Sequence, residues 1–277
     1  MSNDLESAGR AASEIFDVRG RSALVTGAGS GLGTAIAEVL AAGGANVTLL
    51  DIDVERLELV TKRLAALSGE VRSVSADVSD AAAVKAAVGD AVDASGGLDI
   101  VFANAGISLA AGITEVGGTL ETTDPDRWRR VLGVNLEGVL FTLQAAAGVM
   151  KRQGAGRIVV TASTAGLRGD PLVGYSYVAT KAAVINIVRQ AALELAPFGI
   201  NVNAIAPGPI RTNIGNVVAA EGSTLDDEVW KRSILLGRLG EPDEIKGIAL
   251  LLASDASSFM TGAVIPVDGG ALITYPL

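Results

Sequence analysis

Thr26-Gly-Ala-Gly-Ser-Gly-Leu-Gly33 follows the apolar run Ala23–Thr26 and leads into residues 31–43, where apolar side chains recur at helical spacing. A strand, a glycine-rich turn and a helix in that order form the opening of a dinucleotide-binding unit. Glycines at 27, 29, 31 and 33 let the backbone turn tightly and approach a pyrophosphate. The phosphates would then rest on the N-terminus of the helix, beside Ser30, Gly31 and Leu32. Leu32 and Thr34 stand where a strict G-x-G-x-x-G pattern would place its third glycine, so a turn without ligand stays open at this point.

Working outward, β-branched apolar runs recur at Ala23–Thr26, Val47–Leu50, Val71–Ser75, Ile100–Ala103, Ile158–Ala162, Asn201–Ile205 and Val264–Val267. They are apolar on both faces, as parallel strands covered by helices on each side must be. Helical spacing fills the intervals at 31–43, 54–67, 80–94, 124–149, 176–197, 226–235 and 241–253. Alternation of this kind predicts an α/β fold, a doubly wound parallel sheet with helices on both faces. Residues 1–14 are polar and small and read as a flexible tail, with one domain over 15–277.

Hydrophobic residues make up 49% of the chain and charged residues 19%, enough for a large core and little enough polar surface to suggest an oligomer. The net charge of −9, with no Lys/Arg run longer than two, argues against nucleic acid and anionic membranes as partners. No apolar run reads as a transmembrane span and no targeting segment is visible, so a cytoplasmic protein is expected. Cysteine and histidine are absent, which removes thiolate chemistry, Ser-His-Asp triads and most metal sites; no metal is expected. Proton transfer falls to Tyr, Lys, Asp, Glu or water.

The second strand ends in Thr48-Leu-Leu-Asp51, where an acidic residue about 20 residues beyond the glycines accepts hydrogen bonds from an adenosine ribose. Asp51 would repel a 2′-phosphate and Ser30 offers it no positive charge, so NAD is expected rather than NADP. Asp53 is the better helix cap. Ala76-Asp77-Val78 places an acid near an adenine amino group, with Ser79 or Asp80 capping the next helix, and Asn104-Ala-Gly106 offers small residues at a strand end. Farther on comes Tyr177-Val-Ala-Thr-Lys181, with Ser163 fourteen positions upstream of the tyrosine. On a helix, i,i+4 spacing puts phenol and ammonium on one face, a spacing that by itself fits an ordinary surface pair as well as a working one. A cation about 4 Å away at an effective dielectric of ~20 favours the phenolate by roughly 4 kcal/mol, before desolvation of the lysine.

Thr26-Gly-x-x-x-Gly-x-Gly33, Asp51, Asp77-Val78, Asn104-Ala-Gly106, Asn135, Ser163, Tyr177-x-x-x-Lys181, Pro207-Gly208 and Asp268-Gly-Gly270 together resemble the short-chain dehydrogenase/reductase family, in its compact single-domain form. The resemblance covers residues 16–272. It implies a seven-stranded Rossmann-type sheet. It implies that Tyr177 is the general acid/base, that Lys181 lowers its pKa and binds the nicotinamide ribose, and that Ser163 binds the substrate oxygen. Asn135, within Val134-Asn-Leu-Glu-Gly138, would hold a water linking Lys181 to solvent. Gly27, Ser30, Gly31, Leu32, Gly33, Asp51, Ile52, Asp77, Val78, Asn104, Ala105 and Gly106 would line the cofactor. Pro207 and Gly208 would join them, with Ile210 and Thr212 at the nicotinamide carboxamide.

Three features depart from the pattern. The Ser163–Tyr177 interval is long, so Gly169-Asp-Pro-Leu-Val-Gly174 carries an extra residue beside the substrate. Tyr175 competes with Tyr177 but has Ala179, not lysine, four residues on. Ile107–Asp124 is about ten residues longer than the family needs, a surface loop or an active-site rim. Residues 213–236 correspond to a substrate lid, here mixing apolar Ile214, Val217, Val218, Trp230, Ile234 and Leu235 with acids. Relatives of this type form tetramers through the Tyr/Lys helix and last strand, and the low charge on 176–197 fits a homotetramer. The expected activity is NAD(H)-dependent interconversion of a secondary alcohol and a ketone. A 3-oxoacyl-thioester reductase and an inactive NAD-binding scaffold are the alternatives, and the substrate stays unnamed.

Overall fold

The computed structural model describes residues 9–109, 112–212 and 227–274. Its strands are β1 (Ser22–Thr26), β2 (Asn46–Asp51), β3 (Val71–Ser75), β4 (Ile100–Ala103), β5 (Gly156–Thr161), β6 (Ile200–Pro207) and β7 (Val264–Val267). They pair in parallel in the order β3-β2-β1-β4-β5-β6-β7, the doubly wound Rossmann-type sheet. Strand order reverses between β1 and β4, where open α/β sheets bind ligands at their C-terminal edge. Side-chain alternation accounts for the two-faced hydrophobicity: Leu24 and Val101 join the core on one face, Val25 and Phe102 that on the other.

The helices are α1 (Ala12–Ile15), α2 (Gly31–Ala42), α3 (Val54–Leu64), α4 (Ala81–Ser95), α5 (Pro125–Leu132), α6 (Gly138–Gln153), α7 (Tyr175–Leu195), α8 (Asp227–Arg232) and α9 (Lys246–Ala253). α4, α6 and α7 cover one face of the sheet, α2, α3 and α9 the other. Within the segment expected as a tail, Ala12–Ile15 is helical and Arg10 pairs with Asp255 at 3.1 Å. Residues 1–8 lie outside the described residues, as do 213–226 of the expected lid.

α5 and α6 join through a π-helical turn, Gly133–Glu137, into Pro125–Gln153, which is by length and composition long and apolar enough to cross a membrane. Here it is a core helix, with Val139, Leu143, Ala146 and Met150 buried against the sheet.

Candidate active site

All the predicted site residues gather at the C-terminal edge of the sheet, around a cleft of about 1350 Å³. That exceeds the roughly 300–1,000 Å³ of ordinary small-molecule pockets and leaves room for a dinucleotide beside a small substrate. Gly33 and Asn135 stand behind the cleft wall; the other predicted residues line it.

At one end the glycine loop is packed too closely for side chains. A Cβ on Gly33 would collide with the Gly27 carbonyl oxygen, and one on Gly27 would lie 2.8 Å from the Ala105 Cα. Gly27 also holds φ at 66°, where a side chain is strained. Asp53, Asp80 and Asp124 cap α3, α4 and α5 through their carboxylates, whereas Ser30 at the start of α2 makes no side-chain cap. The α2 amides therefore face the cleft without a side-chain acceptor, the arrangement that takes a phosphate. Asp51 accepts from the Gly29 amide at 2.9 Å and the Asp53 amide at 3.1 Å, which fixes its carboxylate at the cleft edge. These features fit a dinucleotide.

The cleft floor is stitched by side chains. Thr26 Oγ1 accepts from the Asn104 and Ala105 amides at 2.9 and 3.0 Å, and Asn104 donates to the Thr26 carbonyl at 3.0 Å and accepts from Thr161 at 2.9 Å. β1, β4 and β5 are thereby locked at their ends. Asp77 accepts from the Ser79 amide and hydroxyl, and Asp80, not Ser79, caps α4. On the far side Gly208 passes close to Asp268, where a Cβ would lie 2.7 Å from the Cα. Thr212 comes over the glycine loop, 3.3 Å from where a Gly31 Cβ would be.

Tyr177 and Lys181 lie on one face of α7, with the Lys181 Nζ 5.6 Å from the tyrosine ring centre. Tyr175 is exposed and outside the cleft lining. Ser163 opens a 3-10 turn, Thr164–Gly166, that presses on α7: a Cβ on Gly166 would lie 2.5 Å from the Lys181 carbonyl carbon. That close approach brings the Ser163 hydroxyl near the Tyr177 phenol, where it favours the ionised form.

Lys181 is 2% exposed, and its ammonium donates to the Thr161 carbonyl at 2.8 Å. Burial lowers its pKa from 10.5 to about 8. Burial also raises the Tyr177 phenol above its ordinary value, the Ser163 hydroxyl opposes this, and the Asp170 charge adds to it. The direction is opposite to that expected from a lysine about 4 Å away. Lys181 is turned to Thr161, and desolvation dominates at Tyr177.

Asn135 is fully buried in the π-helical turn and grips Ile107, accepting from its amide at 2.8 Å and donating to its carbonyl at 2.9 Å. The extra backbone residue of a π turn often re-aims a side chain at a functional site. A Cβ on Gly106 would lie 3.5 Å from both the Asn135 Oδ1 and the Lys181 Nζ, so the two side chains converge beneath that glycine.

Sequence reasoning missed several lining residues. Arg56 lies beside Gly29 and Asp51, paired to Asp53 at 3.2 Å. Glu115, Asp170, Leu172 and Val173 also line the cleft, as do Trp230 and Leu239, which pack together. The only sequence signal for Glu115 and Asp170 was their place in the two long segments.

A family model described as enoyl-(acyl carrier protein) reductase matches residues 27–271. A sorbose reductase of Schizosaccharomyces pombe is 38% identical over 259 residues, 92% of this chain and 97% of that protein. A meso-2,3-butanediol dehydrogenase of Serratia marcescens is 39% identical over 249 residues, 90% of this chain and 93% of the other. Among solved structures, that of an NAD+-bound xylitol dehydrogenase matches with a TM-score of 0.83 and 35% identity, over 91% of this chain and 99% of that one.

Proposed function

The chain belongs to the short-chain dehydrogenase/reductase family, single-domain oxidoreductases acting on CH–OH groups, and from that premise we propose that it interconverts a small secondary alcohol or polyol and the matching ketone with NAD(H). The observation that carries the reading is the shared cleft, in which Ser163, Tyr177 and Lys181 stand across from a glycine loop edged by an acidic Asp51. The names of the relatives, a sorbose reductase, a butanediol dehydrogenase and an NAD+-bound xylitol dehydrogenase, support both the substrate class and the cofactor.

In this reading Ser163 donates a hydrogen bond to the substrate oxygen and holds it against Tyr177. Tyr177 takes the hydroxyl proton in oxidation and returns it to the carbonyl oxygen in reduction. Lys181, cationic below about pH 8, stabilises the phenolate that results. Asn135 acts through the Ile107 backbone, fixing the segment that follows Gly106. Gly27, Ser30, Gly31, Leu32 and Gly33 would hold the pyrophosphate, Asp51 and Ile52 the adenosine ribose, and Asp77 and Val78 the adenine. Asn104, Ala105, Gly106, Pro207, Gly208, Ile210 and Thr212 would bound the nicotinamide, which supplies the hydride acceptor. Asp51 excludes a 2′-phosphate by charge, and Arg56 is already paired to Asp53.

We further assign the chain to a cytoplasmic homotetramer. Leu140 on α6, Leu193 on α7 and Phe259 before β7 are large apolar side chains left exposed on a single chain, and sedimentation would read the assembly. The activity is tested by offering the protein NAD with a panel of diols, polyols and simple secondary alcohols at alkaline pH and following NADH absorbance. Dinucleotide binding without turnover of any alcohol would favour an inactive scaffold instead.

A further inference from the structure

Hydride transfer and dinucleotide binding leave one wall of the cleft unused, the wall made by the two long segments. The first segment is anchored at its base: Asn135 holds both backbone groups of Ile107, and Arg127 donates to the Leu109 carbonyl at 3.2 Å. Its Gly112 is buried directly on the second segment. A Cβ there would lie 2.6 Å from the Leu172 carbonyl carbon and 2.8 Å from its Cα, and would collide with the Pro171 carbonyl oxygen. Gly112 does not hold a left-handed φ, so glycine is needed for space: the two backbones touch. The Gly112 carbonyl then accepts from the Glu115 amide at 3.0 Å, a tight turn that brings Glu115 back to the cleft. From the second segment Asp170 faces the same space, one of its oxygens accepting from the Leu172 amide at 2.9 Å.

Asp170, Leu172 and Val173 line the same cleft as Ser163 and Tyr177 and lead within a few residues into α7, so this wall belongs to the reacting end. Among the described residues neither Glu115 nor Asp170 has a salt-bridge partner. The cleft's arginines are elsewhere or engaged: Arg56 sits by the glycine loop, Arg129 pairs with Asp126 at 2.8 Å, and Arg130 shares a helix that ends at Gly133 against Ser79. Arg211 is paired with Glu241 at 3.3 Å.

We infer that residues 112–115 of the insertion form the outer wall of the substrate site, seated by Gly112 on Pro171 and Leu172, and that Glu115 and Asp170 set its selectivity. The site takes uncharged alcohols and ketones with further hydroxyl groups beside the reacting carbon. It turns away those with a carboxylate or phosphate there. This rests on the alcohol–ketone reading above. A carboxylate oxygen left free by the backbone accepts a hydroxyl in a charge-assisted hydrogen bond, stronger than a neutral one. The same two charges repel an anion.

The test compares a vicinal diol with a hydroxy acid of equal chain length in wild type, Glu115→Gln and Asp170→Asn. Both variants keep the shape and an acceptor oxygen. In each, kcat/KM for the hydroxy acid relative to the diol should rise about tenfold. A ratio unchanged within about twofold in both variants overturns the assignment of selectivity. Wild type that oxidises no alcohol overturns the alcohol–ketone reading and this inference with it, whereas turnover with an unchanged ratio overturns this inference alone. Without any turnover, amide hydrogen exchange reads the seat. Gly112→Val should speed exchange across 169–174 in the dinucleotide-free protein, and unchanged exchange there overturns the contact as a brace.

Discussion

Replacing Lys181 with methionine should make the protein's relative stability depend on pH, with a sign that the burial of the amine dictates. The folded protein holds this ammonium with a pKa of about 8 instead of its ordinary 10.5. The unfolded chain therefore binds more protons at this site between those two values, and wild-type stability rises with pH across that window. Below about pH 8 the charged amine is a full liability in the fold; above about 10.5 it is neutral in both states and the liability is gone. The step corresponds to about 3 kcal/mol. Methionine removes it, along with the hydrogen bond to the Thr161 carbonyl, a loss of about 1–3 kcal/mol. The expected pattern is a variant about as stable as wild type, or more so, near pH 7, and clearly less stable near pH 10.5. The burial-raised Tyr177 phenol is common to both proteins and drops out to first order. Urea unfolding followed by far-UV circular dichroism, at fixed protein concentration and without dinucleotide, gives the difference at each pH. A difference that stays level from about pH 7 to about 10.5 would refute the claim that burial penalises the Lys181 charge.

Tyr177→Phe should lower turnover by about 10²–10⁴-fold while calorimetric NAD binding stays within about twofold; retained turnover removes Tyr177 as the acid/base. Asp51→Ala should narrow the kcat/KM preference for NAD over NADP by about tenfold, since it removes a charge facing the 2′ position, and wild type using both equally would contradict the cofactor reading. Gly166→Ala puts a methyl group against the Lys181 backbone, so it should destabilise by about 1–3 kcal/mol in thermal unfolding and reduce turnover by shifting Ser163. An unchanged melting temperature would mean that the turn yields freely.

The sheet was legible because each central strand is buried on both faces, which leaves a continuous apolar run such as Ala23–Thr26 with glycine and a helix behind it. The π-helical turn was not, because apolar spacing through 124–149 barely changes when one residue is added within a turn. Yet that turn is what carries Asn135 to Ile107. The insertion at 107–124 was visible as surplus length, but its destination was not. The seat of Gly112 on Leu172 joins segments far apart in the chain, and neither carries a local pattern that names the other.

Spacing predicted that Tyr177 and Lys181 would share a helix face, and helix α7 does put them on one face. It could not give the sign of their effect on each other. The sequence reading assigned the lysine charge to the phenol, whereas the fold spends that charge on the Thr161 carbonyl and buries both groups. Burial acts oppositely on an acid that becomes charged and a base that loses charge, so it raises the tyrosine and lowers the lysine together. In the free protein the proton therefore belongs on Tyr177. A useful phenolate needs a further positive charge or hydrogen-bond donor in the cleft, which an oxidised nicotinamide bound as proposed would supply. The same logic assigns a cost to Asp170, whose negative charge pushes the phenol further from ionisation. The proposed hydrogen bond from a substrate hydroxyl group to Asp170 would offset that cost.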